Sequence, residues 1–218
     1  MSETLDADLD AVLDHSFDSK NNEVYIGETS NFLTDVIGVE SLPVYMPASK
    51  AYSAMATKEE WEKTRYYTQQ DHYHGLGKEK LIEILSASED PIAAFVATPD
   101  MDGNERNNRI VLVTDVKIDG QNAVVIEEIE TTSRKGKKQV KANKIITTYN
   151  KAMIADYIVD AYDEGRLLHF DKKRSQYLAG RRGSKPQATI RDTDFTKNIA
   201  QFWYDVNKKN KDVTKLQQ

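Results

Sequence analysis

The chain has 218 residues, 39% hydrophobic and 30% charged, with a formal net charge of -5. That balance suits one generous globular domain, or a core with an added segment, and is too apolar for a wholly disordered chain. There is no cysteine, which excludes disulfide scaffolds, thiolate zinc sites and cysteine nucleophiles, and fits a reducing cytosol.

No apolar run approaches the roughly 20 residues that a membrane helix needs. The chain opens on acidic residues rather than a basic and apolar leader, so a soluble protein of the host bacterial cytoplasm, without a secretory signal, is expected. Residues 1–100 hold 19 acidic and 7 basic side chains, whereas residues 101–218 hold 16 and 23. The second half therefore attracts phosphate polymers and the first repels them. A solvated surface whose signs happen to segregate explains the same counts.

In chain order, Leu5, Leu9, Val12 and Leu13 fall at helical spacing opposite Asp6, Asp10 and Asp14, predicting a helix over 3–13. Val24–Ile26 and Leu42–Met46 read as short extended pieces, the second bounded by Pro43 and Pro47. A charged helix is expected around Ala56–Thr64. The segment Asp71-His72-Tyr73-His74-Gly75-Leu76-Gly77 then forms a turn, and Lys78–Ser86 a helix with Leu81, Ile82, Ile84 and Leu85 inward.

From Pro91 onward the period shortens. Ile92–Thr98 is a small apolar strand, and Arg109–Ile118 alternates as a strand with one buried face. Asp119-Gly120 is the dipeptide of a tight hairpin, leading into Asn122–Thr132. A basic loop over 133–138 feeds Gln139–Thr148. Asn150 is the expected cap of a helix carrying Met153, Ile154, Tyr157, Ile158 and Ala161, ended by Gly165. Leu167–Phe170 suits an edge strand, Asp171 the cap of a basic helix, and Phe195, Ile199, Phe202, Trp203 and Val206 a last amphipathic helix. The predicted class is α+β, with an antiparallel sheet of about four strands flanked by helices. Its expected division is an acidic segment over 1–40, a core over 41–180 and a helical extension over 181–218.

Three groups of residues could carry chemistry. His72 and His74 are two of four histidines, and on an extended segment alternating side chains point the same way. Imidazole titrates near neutrality and can take a proton from a ribose hydroxyl. A metal site is the rival use, with Asp71 the candidate third ligand, but no carboxylate–histidine motif of familiar spacing supplies one, so no metal and no cofactor is expected. The second group is the strand end with Lys144, Thr147, Thr148 and Tyr149, where a lysine and hydroxyls could stabilise a phosphorane. Ordinary packing explains each of these strand residues singly. The third is cationic. Lys138, Lys141, Lys151, Lys172, Lys173, Arg174, Arg181 and Arg182 suit phosphate contacts, and a plain solvated helix and loop would use the same letters. No phosphate-binding glycine loop, dinucleotide fingerprint or serine nucleophile elbow is present.

His74-Gly75-Leu76, Asp90-Pro91-Ile92, Thr147-Thr148-Tyr149-Asn150-Lys151 and Leu167-Leu168-His169-Phe170 occur in an order that resembles the carboxyl-terminal domain of phage MuF proteins, found also in polyvalent proteins of mobile elements. Related phage domains are similar to the superfamily of barnase, EndoU, colicins and RelE, which sets a helical element against a four-stranded antiparallel sheet and cuts RNA without a metal. The resemblance implies a mobile-element endoribonuclease in which His74 or His72 deprotonates the 2′-hydroxyl while Lys144 and a hydroxyl of Thr147, Thr148 or Tyr149 stabilise charge. It further implies a role in conflict with host defence, for instance an anti-CRISPR protein cleaving guide RNA bound in a CRISPR effector. The alternatives are a non-catalytic inhibitor whose acidic half imitates nucleic acid on a host defence protein, and a structural head or packaging protein.

Overall fold

The structure is a computed structural model that describes residues 3–18, 22–64, 73–98, 108–135, 138–178, 190–191 and 195–216. Its centre is an antiparallel meander of β4 (Arg109–Ile118), β5 (Gln121–Lys135) and β6 (Lys138–Lys151). The β4–β5 turn needs left-handed backbone at both central residues, and Asp119 (φ 50°) and Gly120 (φ 76°) supply it.

Four shorter strands extend the meander in both directions. β3 (Ala93–Val96) pairs antiparallel with β4, and β7 (Leu167–Phe170) closes that side as the edge. On the other side β2 (Pro43–Pro47) joins β6 in parallel, and β1 (Glu23–Glu28) pairs antiparallel with β2 at the far edge. The expectation of about four antiparallel strands is thereby corrected to a mixed sheet of seven. Pieces of four to six residues carry little period-two signal, and a parallel partner lies far away in sequence, so neither their pairing nor its direction could be read locally.

Alternation along the central strands divides the interior into two layers. One face carries Leu112, Val125 and Ile145, covered by Leu5 and Leu9 of α1 (Glu3–Leu13), Ala51 and Tyr52 of α2 (Ala48–Met55), Ile84 of α4 (Lys78–Ala87), and Phe202 of α6 (Phe195–Leu216). The other face carries Val111, Val113 and Val124 under Ile154, Ile158 and Ala161 of α5 (Ile154–Asp163). The strands are thus buried on both sides, which is why their apolar runs are nearly continuous.

Side-chain caps account for two of the helix starts. The charged helix is α3 (Lys58–Lys63), opened by a capping box in which the Thr57 hydroxyl accepts from the Glu60 amide and the Glu60 carboxylate accepts from the Thr57 amide. Asp171 caps a 3-10 turn over Arg174–Tyr177 by accepting from the amides of Lys173 and Arg174, both at 2.9 Å. Asn150 is no cap, because β6 runs through it to Lys151 and left-handed Met153 (φ 54°) opens α5. Among the described residues no helix is long and apolar enough to cross a membrane.

Candidate functional site

The site is built where β6 outruns its neighbour. β2 pairs with β6 only at Asn143 and Lys144, so the strand from Thr147 to Lys151 is paired with β5 on one side alone. The register with β5 skips Ile146, a bulge that resets which side chains face which way. Beyond it Thr147, Tyr149 and Lys151 alternate onto one face. Thr148 pairs with Val125 and points the other way, fully buried, with its hydroxyl lacking a hydrogen-bond partner.

The turn before α4 brings His74 to this strand end. The His74 amide donates to the Ser53 carbonyl at 3.0 Å and the Leu76 amide to the Ala54 carbonyl at 2.6 Å, so the turn is pinned to the end of α2. Between them Gly75 has φ +59°, and a Cβ there would meet the Tyr73 hydroxyl, so glycine is required by both conformation and space. His74 Nε2 consequently lies 3.1 Å from the Thr147 hydroxyl, which can donate to it or accept from it according to the tautomer. The imidazole also stacks on Tyr149, with centroids 5.8 Å apart and planes at 21°.

Lys151 completes the cluster. Its ammonium sits 3.9 Å from the ring centroid of Tyr157 on α5 and 5.9 Å from that of Tyr149. Tyr149, Lys151 and Tyr157 together border a cavity of about 190 Å³ between the sheet and α5, with Arg166 on the same border. The Arg166 guanidinium is held by Glu164 at 2.6 Å and by the Val96 carbonyl at 2.5 Å.

The other predicted cations are differently disposed. Lys144 is bound to Glu23 of β1 at 2.6 Å, with both side chains largely buried, and Glu23 also accepts from the Ser133 hydroxyl. Lys141 pairs with Glu40 at 2.6 Å, and that carboxylate holds its ammonium above the usual lysine range. Arg174 bridges Asp90 and Asp115, each at 2.9 Å. Lys138, Lys172 and Lys173 are exposed. Asp71, His72, Arg181 and Arg182 lie outside the described residues. The structure therefore brings together His74, Thr147, Tyr149 and Lys151, while it sets Lys144 against Glu23 and Thr148 in the opposite layer. Among the described residues no three His, Asp or Glu side chains are grouped to hold a metal ion.

Tyr157 and Arg166 were not singled out as site residues from the sequence. Tyr157 stood on what looked like the packing stripe of its helix, yet it is 43% exposed. A second overlooked group is Glu127, which reads as a strand residue but is 5% exposed, with one carboxyl oxygen lacking a partner. It lines a smaller cavity of about 50 Å³ on the α4 side, and burial pushes its carboxyl up to about 7.

Residues 65–177 match the family of the phage MuF-C-terminal domain. The chain belongs to that family. The MuF-C span takes in His74, β3 to β7 and α5, and with them the whole His74–Thr147–Tyr149–Lys151 cluster. Glu23, Glu40, Ser53 and Ala54 precede it, so the partners of Lys144 and Lys141, and the carbonyls that pin the His74 turn, are contributed from outside the MuF-C domain. No curated protein and no solved structure matches the chain.

Proposed function

We propose that this MuF-C protein is a metal-independent RNA endonuclease. The observation that carries the reading is the meeting of one imidazole, one hydroxyl, one phenol ring and one ammonium at the free end of β6. The Thr147 hydroxyl occupies the place beside His74 Nε2 that a ribose 2′-hydroxyl takes in the complex. His74 then removes the 2′ proton, the 2′ oxygen attacks the adjacent phosphorus, and the bond from phosphorus to the 5′ oxygen breaks, with the departing oxygen taking a proton from water. The products are a 2′,3′-cyclic phosphate and a 5′-hydroxyl. Lys151, rather than Lys144, faces the charge that develops on the phosphorane, with Thr147 donating to a non-bridging oxygen. Membership of a phage family supports conflict with host defence as the setting, and guide RNA in a CRISPR effector is the substrate we propose within it.

The test is cleavage of RNA in chelator, free and bound to an effector, by the parent chain, His74→Ala and Lys151→Met. His74→Ala is expected to lower the rate about 100- to 10,000-fold, and a strand with 2′-deoxyribose should survive intact. Unchanged cleavage by His74→Ala refutes the assignment, and cleavage abolished by chelator favours a metal enzyme. A second reading, a non-catalytic inhibitor of a host defence protein, is favoured by one observation: Lys141, Lys144 and Arg174 are already engaged by carboxylates, which weakens the phosphate-gripping surface. Such an inhibitor would keep its potency in His74→Ala.

A further inference from the structure

We infer that the cavity between β3–β5 and α5 is a nucleobase pocket, with preference for bases that carry a carbonyl rather than an amine at the purine 6- or pyrimidine 4-position. The inference rests on the ribonuclease reading and supplies its base selectivity. Phe95, Val111, Val124, Ile126 and Ile154 make the interior apolar, and polar groups stand at the border, the arrangement typical of a small-molecule site. Its volume of about 190 Å³ is roughly that of six waters at about 30 Å³ each. That is room for one planar ring system.

Two tyrosines define what such a ring would meet. Tyr157 is 43% exposed although it stands over an apolar cavity, and Tyr149 carries the imidazole stack on the catalytic side. Tyr149 therefore joins the cavity to His74: a base held against the two rings leaves its ribose at the histidine. With Lys151 committed to the phosphate, the charged border group left for the base is Arg166, a donor without acceptor capacity, and Thr98 adds a hydroxyl. Donors of this kind match O6 of guanine and O4 of uracil and oppose the amines that adenine and cytosine carry at the same positions. The bonds of Arg166 to Glu164 and to the Val96 carbonyl fix its guanidinium in place and so make the preference directional.

The experiment titrates the full chain with the four nucleoside 3′-monophosphates and with ribose 5-phosphate, following Tyr149 and Tyr157 by NMR and measuring affinity by calorimetry. Guanosine and uridine monophosphates should bind about tenfold more tightly than ribose 5-phosphate. Tyr157→Ala should remove about that factor, which a base–aromatic stack supplies, and Tyr157→Phe should retain it. Equal affinity for all five probes, or tight base binding that survives Tyr157→Ala, overturns the pocket. RNA cleavage by the parent chain is measured on the same samples. Cleavage with equal affinity for all probes sinks the pocket and leaves the nuclease standing. Base-selective, Tyr157-dependent binding without any cleavage upholds the pocket and sinks the nuclease.

Discussion

Glu127→Gln provides the sharpest test of the interior, because it exchanges an ionisable buried group for a neutral one of the same shape. Glu127 sits in β5 against Ile26, Val44, Leu85 and Ile145, 5% exposed beside the small cavity on the α4 side, and one of its oxygens has no donor from the protein. Burial raises its folded-state pKa from 4.5 to about 7. A raised carboxyl pKa means that the native state keeps a proton the unfolded chain has lost. The contribution to stability is therefore fully present below about pH 4.5, falls as pH rises, and is gone above about pH 7. At about 1.4 kcal/mol per unit, the loss across that window is on the order of 3 kcal/mol. Glutamine cannot ionise, so the stability difference between parent and variant should follow that curve while every other titration cancels. Urea unfolding from pH 4.5 to 9 would read it. Near pH 4.5 the two proteins should be close, with the variant no more stable; above pH 8 the variant should be more stable by up to about 3 kcal/mol. A difference that stays constant with pH would show that Glu127 is solvated or paired in the folded protein, and would remove the reasoning.

Three further outcomes are expected. Gly75→Ala places an L side chain at φ +59° and pushes the Tyr73 ring aside; a loss of about 1–2 kcal/mol in thermal unfolding, with displacement of the His74 ring signals by NMR, would check it. Leu9→Ala empties a fully buried position in the layer shared by α1, α2 and α4, so chemical denaturation should show a loss of about 2–5 kcal/mol in a single transition. A small or separate transition would mean that α1 folds apart from the sheet. Glu23→Gln removes the countercharge of Lys144 and weakens the acceptor of Ser133. A cost of about 1–3 kcal/mol is expected in urea, with RNA affinity rising at low salt as Lys144 becomes available to phosphate.

What could be read from the sequence, and what could not, follows the range of the interactions. The helix over Glu3–Leu13 and the Asp119–Gly120 hairpin were legible because each is decided within a dozen residues by period or turn chemistry. Ala48–Met55 is not legible in the sequence: its small and polar letters make no clear stripe, although six of its eight residues are buried. The parallel placement of β2 on β6 depends on residues about a hundred positions apart, and no local pattern announces it. At the site, the useful residue types were visible but their orientation was not. Whether Thr147 or Thr148 meets His74 is decided by the bulge at Ile146, since a one-residue shift exchanges the faces of a strand. The charge asymmetry likewise said nothing of pairing. Glu23 and Glu40 come from the acidic half and bind lysines of the basic half, so part of the apparent phosphate attraction is offset by ion pairs within the protein.

This division of labour bears on how the MuF-C domain works in this chain. The matched span begins at residue 65, yet His74 is held by the Ser53 and Ala54 carbonyls at the end of α2. α2 in turn is fixed because β2 docks beside β6 immediately before it, with no linker between Pro47 and Ala48. The parallel strand therefore has two consequences. It ends early enough to leave Thr147–Lys151 open on one side, and it launches the helix that carries the histidine turn back to that opening. The residues of the proposed site belong to the family domain, whereas the geometry that lets them meet is imposed by the strand and helix preceding it. A disturbance at the β2–β6 pairing should thus reach His74 through α2 without touching any residue of the site, shifting the His74 ring signals in NMR, and lowering cleavage if the proposed nuclease activity holds, while leaving the β4–β5 hairpin and the α5 layer intact.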